Sequence, residues 1–220
     1  MVSAVGPLAT AESLSGQAKF ISSFIGLSNN IIKLLTAVNK QVTNLLSPEI
    51  SIALGGVQTT YIAPVRGVLS AANIVTATGA LARVKPGKVA LIAAASDLIA
   101  SVAATTSAFA TNKILSNRAS QVALLVRTGS NTVALGDAIM KTSRPNSAKA
   151  ASSDQLQLSN LKIAKLALGI IGSLGAIATL IVSVPVWLGI SSLALTVASG
   201  VIGVVHDWKK ESLKLLEQNQ

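Results

Sequence analysis

Apolar positions along this chain recur mainly with the period of a helix. Between Asn30 and Leu46, residues Ile31, Leu34, Leu35, Val38, Val42, Leu45 and Leu46 follow three- and four-residue spacing, while Lys33, Thr36, Lys40 and Thr43 fall on other faces. That pattern predicts an amphipathic helix, opened by the capping side chains of Ser28, Asn29 and Asn30 and closed at Ser47-Pro48. A shorter stripe, Phe20, Ile21, Phe24, Ile25 and Leu27, precedes it. The stretch from Ile50 to Val84 is only weakly periodic. It is interrupted by Gly and broken at Pro64, with helix predicted over Arg66–Val84 and a turn at Lys85-Pro86-Gly87-Lys88. Val89–Thr111 is Ala-rich and carries the single charge Asp97. Lys113–Lys141 reads as another helix with Leu115, Val122, Leu125, Val126, Val133 and Met140 on one side, and Thr142–Asp154 has the composition of a linker.

One segment breaks from this pattern. Leu166–Val205 is 40 residues without Asp, Glu, Lys, Arg or His, divided by Pro185 into runs of 19 and 20. About 20 apolar residues cross the roughly 30 Å hydrocarbon layer as a helix, so this length suits one crossing out and one back. Each half holds 10 Leu, Ile or Val, which favours insertion by about 3–6 kcal/mol before Gly, Ser and Thr subtract. In Val89–Thr111, by contrast, Asp97 costs about 2.5–3.5 kcal/mol and cancels most of the gain, so that segment is expected to enter a membrane only with a partner helix. Lys162 and Lys165 precede the run, and Lys209, Lys210 and Lys214 follow it. Basic flanks at both ends place both termini on the cytosolic side of a transmembrane hairpin. Pro185 and Trp187 mark its turn, and Trp208 sits at an interfacial position. Gly169/Ser173, Gly172/Ala176 and Ser199/Gly203 have the spacing of small residues between packed membrane helices. A hairpin buried inside a soluble bundle is the alternative, but too few residues remain to wrap it.

Composition narrows the function. Half the residues are hydrophobic, 12% are charged, the net charge is +10 and mean hydropathy is +0.62. A soluble domain carries about 25% charged residues. The basic residues are dispersed and aromatics make up 3%, which disfavours nucleic acid as a partner. There are no cysteines, and the lone histidine, His206, lies at the edge of the apolar run. Thiol chemistry and Cys-based or paired-His zinc sites are therefore excluded. Gly87-Lys88-Val89 resembles the end of a phosphate loop without its preceding glycine pattern. Asp97 is expected to face water or pair with a neighbouring Lys. No catalytic, cofactor-binding or metal-binding residues are expected, and the chain reads as a non-enzyme needing no cofactor.

The uncharged run split at Pro185, following the Ser/Ala-rich start Met1–Ala18, resembles in layout the chlamydial inclusion membrane proteins. Those are secreted by a type III system and inserted into the membrane of the vacuole that houses the bacterium. The resemblance implies a secreted effector whose helical region faces the host cytosol and recruits host proteins or lipids. The expected organisation is all-α: a flexible start with secretion-signal character (1–18), a helical region (19–141), a linker and basic flank (142–165), the hairpin (166–205) and an amphipathic cytosolic tail (206–220). The expected function is that of a membrane-anchored interaction or scaffold protein. Its partners would be the lipid bilayer, proteins that bind the helical region, and further copies of itself as a homo-oligomer. Two alternatives stand beside it, a pore-former or translocator and a membrane-shaping hairpin. If the hairpin is the sole anchor, replacing both Leu174 and Leu195 with Arg releases the protein into alkaline carbonate. Retention of this variant in the membrane pellet would show that other segments hold it.

Overall fold

The structure, a computed structural model, describes residues 7–42, 46–83, 89–143 and 153–218. Within them the chain is all-α: α1 (Pro7–Gln41), α2 (Pro48–Val57), α3 (Ala63–Arg83), α4 (Val89–Phe109), α5 (Lys113–Thr142), α6 (Ser153–Ile181) and α7 (Val186–Gln218). Local chemistry sets several of these boundaries. Ser47 Oγ accepts the Ile50 N–H at 3.3 Å, with Pro48 at the first turn of α2. Asn112 Oδ1 accepts the N–H groups of Ile114 and Leu115 at 2.9 and 3.3 Å and so opens α5.

Pro64, expected to break the chain, does not end the helix. A five-residue π-helical turn, Gln58–Ile62, joins α2 to α3, and the Ala63 N–H reaches back to the Gln58 carbonyl. Proline lacks an N–H, and its ring crowds the carbonyl four residues earlier, so widening one turn relieves the clash while the rod continues. The capping cluster expected before Asn30 is likewise interior to a helix. Ser28 Oγ donates to the Phe24 carbonyl at 3.0 Å, and buried Asn29 accepts from Gln58 Nε2 at 3.1 Å. Both side chains are engaged away from a cap, so α1 runs unbroken from Pro7 through residues expected to be a flexible start. At the other end of the expected linker, helix α6 has begun by Ser153. Residues 1–6, Leu45, the turn 85–88 and linker residues 144–152 lie outside the described residues.

The helices pack in the order α3, α4, α5, α6, α7, α1. Neighbours run in opposite directions. Gly67 near the start of α3 meets Ala108 and Phe109 at the end of α4, and Ser116 Oγ of α5 donates to the Ser107 carbonyl of α4. Thr142 at the end of α5 meets Ser159 near the start of α6, and Leu27 of α1 meets Gly200 of α7. Lighter contact between α1 and α3, with the Gln58–Asn29 bond beside it, closes the circle. Far from wrapping a separate hairpin, the helical region completes a ring in which α6 is flanked by α5, and α7 by α1.

Five stretches are long and apolar enough to cross a membrane: Phe20–Gln41, Pro48–Ala82, Val89–Phe109, Ser153–Ile181 and Val186–Leu213. The sequence pattern singled out only the last two as self-sufficient. Polarity in the ring is inverted relative to a water-soluble bundle. Among the described residues no large side chain is fully buried, and the buried set is Ala with Gly67, Gly172, Gly203, Asn29, Ser70, Ser101, Thr128, Ser130 and Ser192, joined by Ile32. Large apolar side chains point outward instead: Ile52 and Ile181 are 76% exposed and Val75 is 75% exposed.

Asp207, two residues past the uncharged run, ties three helices together. It accepts from Ser23 Oγ of α1 at 2.7 Å and from His206 Nδ1 at 2.9 Å, and it pairs with Lys165 of α6 at 3.7 Å. Asp207→Ala removes all three contacts at once, and the unfolding midpoint of detergent-solubilised protein should fall. An unchanged midpoint would count against the tie.

Candidate functional site

Small residues let α6 and α7 approach backbone to backbone. A Cβ placed on Gly172 would lie 2.6 Å from Thr196 Oγ1 and 3.1 Å from the Ser192 carbonyl, and one on Gly175 would lie 2.8 Å from Ser192 Cβ. Ser192 Oγ donates to the Gly172 carbonyl at 2.5 Å, and Ser199 Oγ donates to the Lys165 carbonyl at 2.8 Å. Hydroxyls elsewhere bond the carbonyl one turn back, as Thr36 does to Ile32, Thr128 to Leu124 and Thr196 to Ser192. Among the described residues no buried side-chain N or O atom lacks a partner, so these polar groups can sit inside a helix bundle without water.

The residues singled out in the sequence fall into two groups. Gly169, Gly172, Ser199 and Gly203 lie between α6 and α7: Gly169 faces Ser199, and Gly203 faces the Lys165 stem. Gly169, Ser199 and Gly203 also border a cavity, which Ser173 and Ala176 line as well. Pro185 ends the four-residue connection between the two helices, its carbonyl accepting the Leu188 N–H at 2.9 Å, and Trp187 is exposed beside it. Lys162 and Lys210 are exposed. Lys209 pairs with Asp154 at 2.8 Å and donates to Gln157, while the side chain of Lys214 lies outside the described residues.

That cavity is the most informative feature of the ring. It measures about 1130 Å³ and draws its walls from α1, α3, α4, α5, α6 and α7. Lys33, Arg66, Arg127 and Lys165 face it, with Asn29 and Asn131 among their neutral polar companions, and no acidic residue is among its described lining. Lys33 and Arg127 are solvent-exposed, and Arg66 is half-buried. Arg66 lies within electrostatic reach of both Lys33 and Arg127, and Arg127 within reach of Asp97. Asp97, expected to meet water or a lysine, is exposed and near an arginine. Lys165, expected as a flank, is drawn to Asp207 at the cavity wall.

Sequence reasoning missed Lys33, Arg66 and Arg127 as a group. None has another Lys or Arg within six residues, and only the ring order brings α1, α3 and α5 to one space. No group of His, Asp or Glu among the described residues is arranged to hold a metal. No family model, curated protein or solved structure matches the chain.

The α6–α7 contact supports a direct test. Gly172→Leu forces two backbones apart and should destabilise the detergent-solubilised protein by about 1–3 kcal/mol. Gly129→Ala, where an added Cβ meets nothing within 4 Å, should be neutral or stabilising by up to about 1 kcal/mol. Denaturant midpoints measure both, and equal loss in the two variants would refute the close approach.

Proposed function

We propose that this is a polytopic integral membrane protein whose helices enclose a polar cavity, acting as a pore or carrier for a polar solute. The observation that carries this reading is the inverted polarity: many large aliphatic side chains exposed, mostly small and polar side chains buried, and a cationic cavity walled by six helices. In water, each fully exposed Leu, Ile or Val forgoes about 1.5–3 kcal/mol of burial. In lipid the same surface is already solvated, and the interior groups bond one another.

Charge along the chain agrees with this topology. In an alternating ring the start of α1, the ends of α3 and α5, the starts of α4 and α6 and the end of α7 share one side. Counting each connection with one helical turn on either flank, the sequence puts Arg83, Lys85, Lys88, Lys141, Arg144 and Lys149 in the α3–α4 and α5–α6 segments and Lys209, Lys210 and Lys214 near the end of α7, against Lys40 and Lys113 in the α1–α2, α4–α5 and α6–α7 segments. That excess favours the cytosolic side for both ends of the chain. α5, too polar to insert alone, would complete the wall between α4 and α6.

A narrower reading keeps only α6 and α7 in the bilayer, as a hairpin displaying residues 19–141 to partners on a host vacuole membrane. The uncharged run 166–205 favours it. The outward faces of α3 and α4, with Val68, Val75, Ile92 and Ile99 exposed, weigh against it, because they would then face water. The Leu174→Arg/Leu195→Arg variant separates the two readings. With the whole ring embedded, six crossings including α5, it should stay in the carbonate pellet, with both termini open to protease from one side. Its release into the supernatant would favour the hairpin alone.

A further inference from the structure

We infer that the cavity is a binding site for an oxyanion, a phosphate or carboxylate group held by Lys33, Arg66 and Arg127. This rests on the membrane-embedded reading above and adds the class of solute.

Three observations converge. First, three cations from three different helices face one space, and Arg66 stands within electrostatic reach of the other two. Like charges gathered in a partly desolvated space repel one another, and such a cluster is stabilised by whatever neutralises it. Second, the protein supplies only part of that neutralisation. Asp97 acts on Arg127, and Asp207 draws off Lys165 outside the trio. Lys33 and Arg66 meet no carboxylate in the described cavity lining. Third, two of the three cations are guanidinium groups, whose planar forks match two oxygens of a phosphate or carboxylate better than a spherical halide. Asn30 and Asn131 amides and the Ser70 and Ser107 hydroxyls lie along the same walls and can donate to further oxygens. At about 1130 Å³ the space exceeds one inorganic ion and accommodates an organic anion.

A cation pathway would need the opposite lining, since carboxylates or carbonyls recruit cations. A cavity serving only as a packing defect would be apolar and dry. Neither describes this one.

Full-length protein in mild detergent provides the test. Thermal unfolding is followed while inorganic phosphate or succinate replaces chloride at constant ionic strength. The midpoint should rise saturably with either oxyanion, by linkage to a site present only in the folded state. Arg66→Gln should weaken the apparent affinity at least about tenfold, and Arg66→Lys should recover part of it. Arg118→Gln, outside the cavity lining, should leave it unchanged. Equal rises in wild type and Arg66→Gln, or no rise in wild type, would overturn the inference. A rise with short-chain phosphatidylglycerol but not with phosphate or succinate would assign the same chemistry to a lipid head group.

Should Arg66→Gln not fold, wild-type proteoliposomes decide. Phosphate or succinate flux exceeding potassium flux supports the site. Potassium flux in excess, or no flux of any of these ions, together with an unshifted midpoint, refutes it while leaving the cavity reading intact. Loss of the protein from vesicles in carbonate would instead remove the membrane reading itself.

Discussion

The rest of this structure depends on where its large aliphatic side chains point. In a protein folding in water, Leu, Ile and Val would fill the space between helices, and burial would hold the helices together. Here the buried positions are Ala, Gly, Ser, Thr and Asn with the single Ile32, while many large apolar side chains face out and others, such as Leu27 against Gly200, are half-buried between helices. With so little aliphatic surface fully buried, the hydrophobic effect supplies little of the cohesion between these helices. What remains is close backbone approach, dispersion and hydrogen bonds between hydroxyls and carbonyls, which is how helices associate in lipid. The contacts Ser192–Gly172 and Ser199–Lys165 are of this kind.

Much of the fold was legible from sequence, for definite reasons. Helix is a local property, and the periodic stripes of α1 and α5 are readable without knowing their neighbours. The run 166–205 could be read because an absence of charge over 40 residues has few alternatives. Two limits show in particular residues. Local rules were overruled where a side chain found a different partner: Ser28 bonded back to Phe24 instead of capping, and Asn29 met Gln58. At Pro64 the helix widened instead of ending. The other limit is arithmetic by segment. For Val89–Thr111 the cost of Asp97 makes insertion depend on a partner helix, and the identity of that partner is not in the sequence: α4 packs between α3 and α5, with Arg127 within electrostatic reach of Asp97.

The candidate site was almost invisible in the sequence. Lys33, Arg66 and Arg127 are separated by 33 and 61 residues, and each alone reads as an ordinary cation on the polar face of a helix. Their meeting is a consequence of ring closure, which depends on α1 leaving its neighbour in sequence to pack against α7. No periodicity encodes that. The small-residue pattern carried more information, since Gly172 and Ser199 could be placed on facing sides. It missed Gly175 and Thr196, and it could not tell that Ser173 and Ala176 turn toward the cavity.

The placement of those cations also bears on why the bundle has a cavity at all. A Lys or Arg at the middle of a lone inserted helix costs about 2.5–3.5 kcal/mol. Lys33 and Arg66 lie within stretches otherwise apolar enough to cross a membrane, so each would weaken the insertion of its own segment. A tightly packed core of Ala and Ser would avoid that cost by substituting neutral residues at both positions. Retaining the charges makes physical sense only where water or a counter-ion reaches them, and that requires helices held apart on one side while packed closely on others. The ring meets both conditions. Gly172, Gly175 and Gly67 bring neighbouring helices together, and the wall they form leaves the interior open around the cations. Close packing around the circumference and an accessible charge at the centre are thus two consequences of one arrangement of small residues.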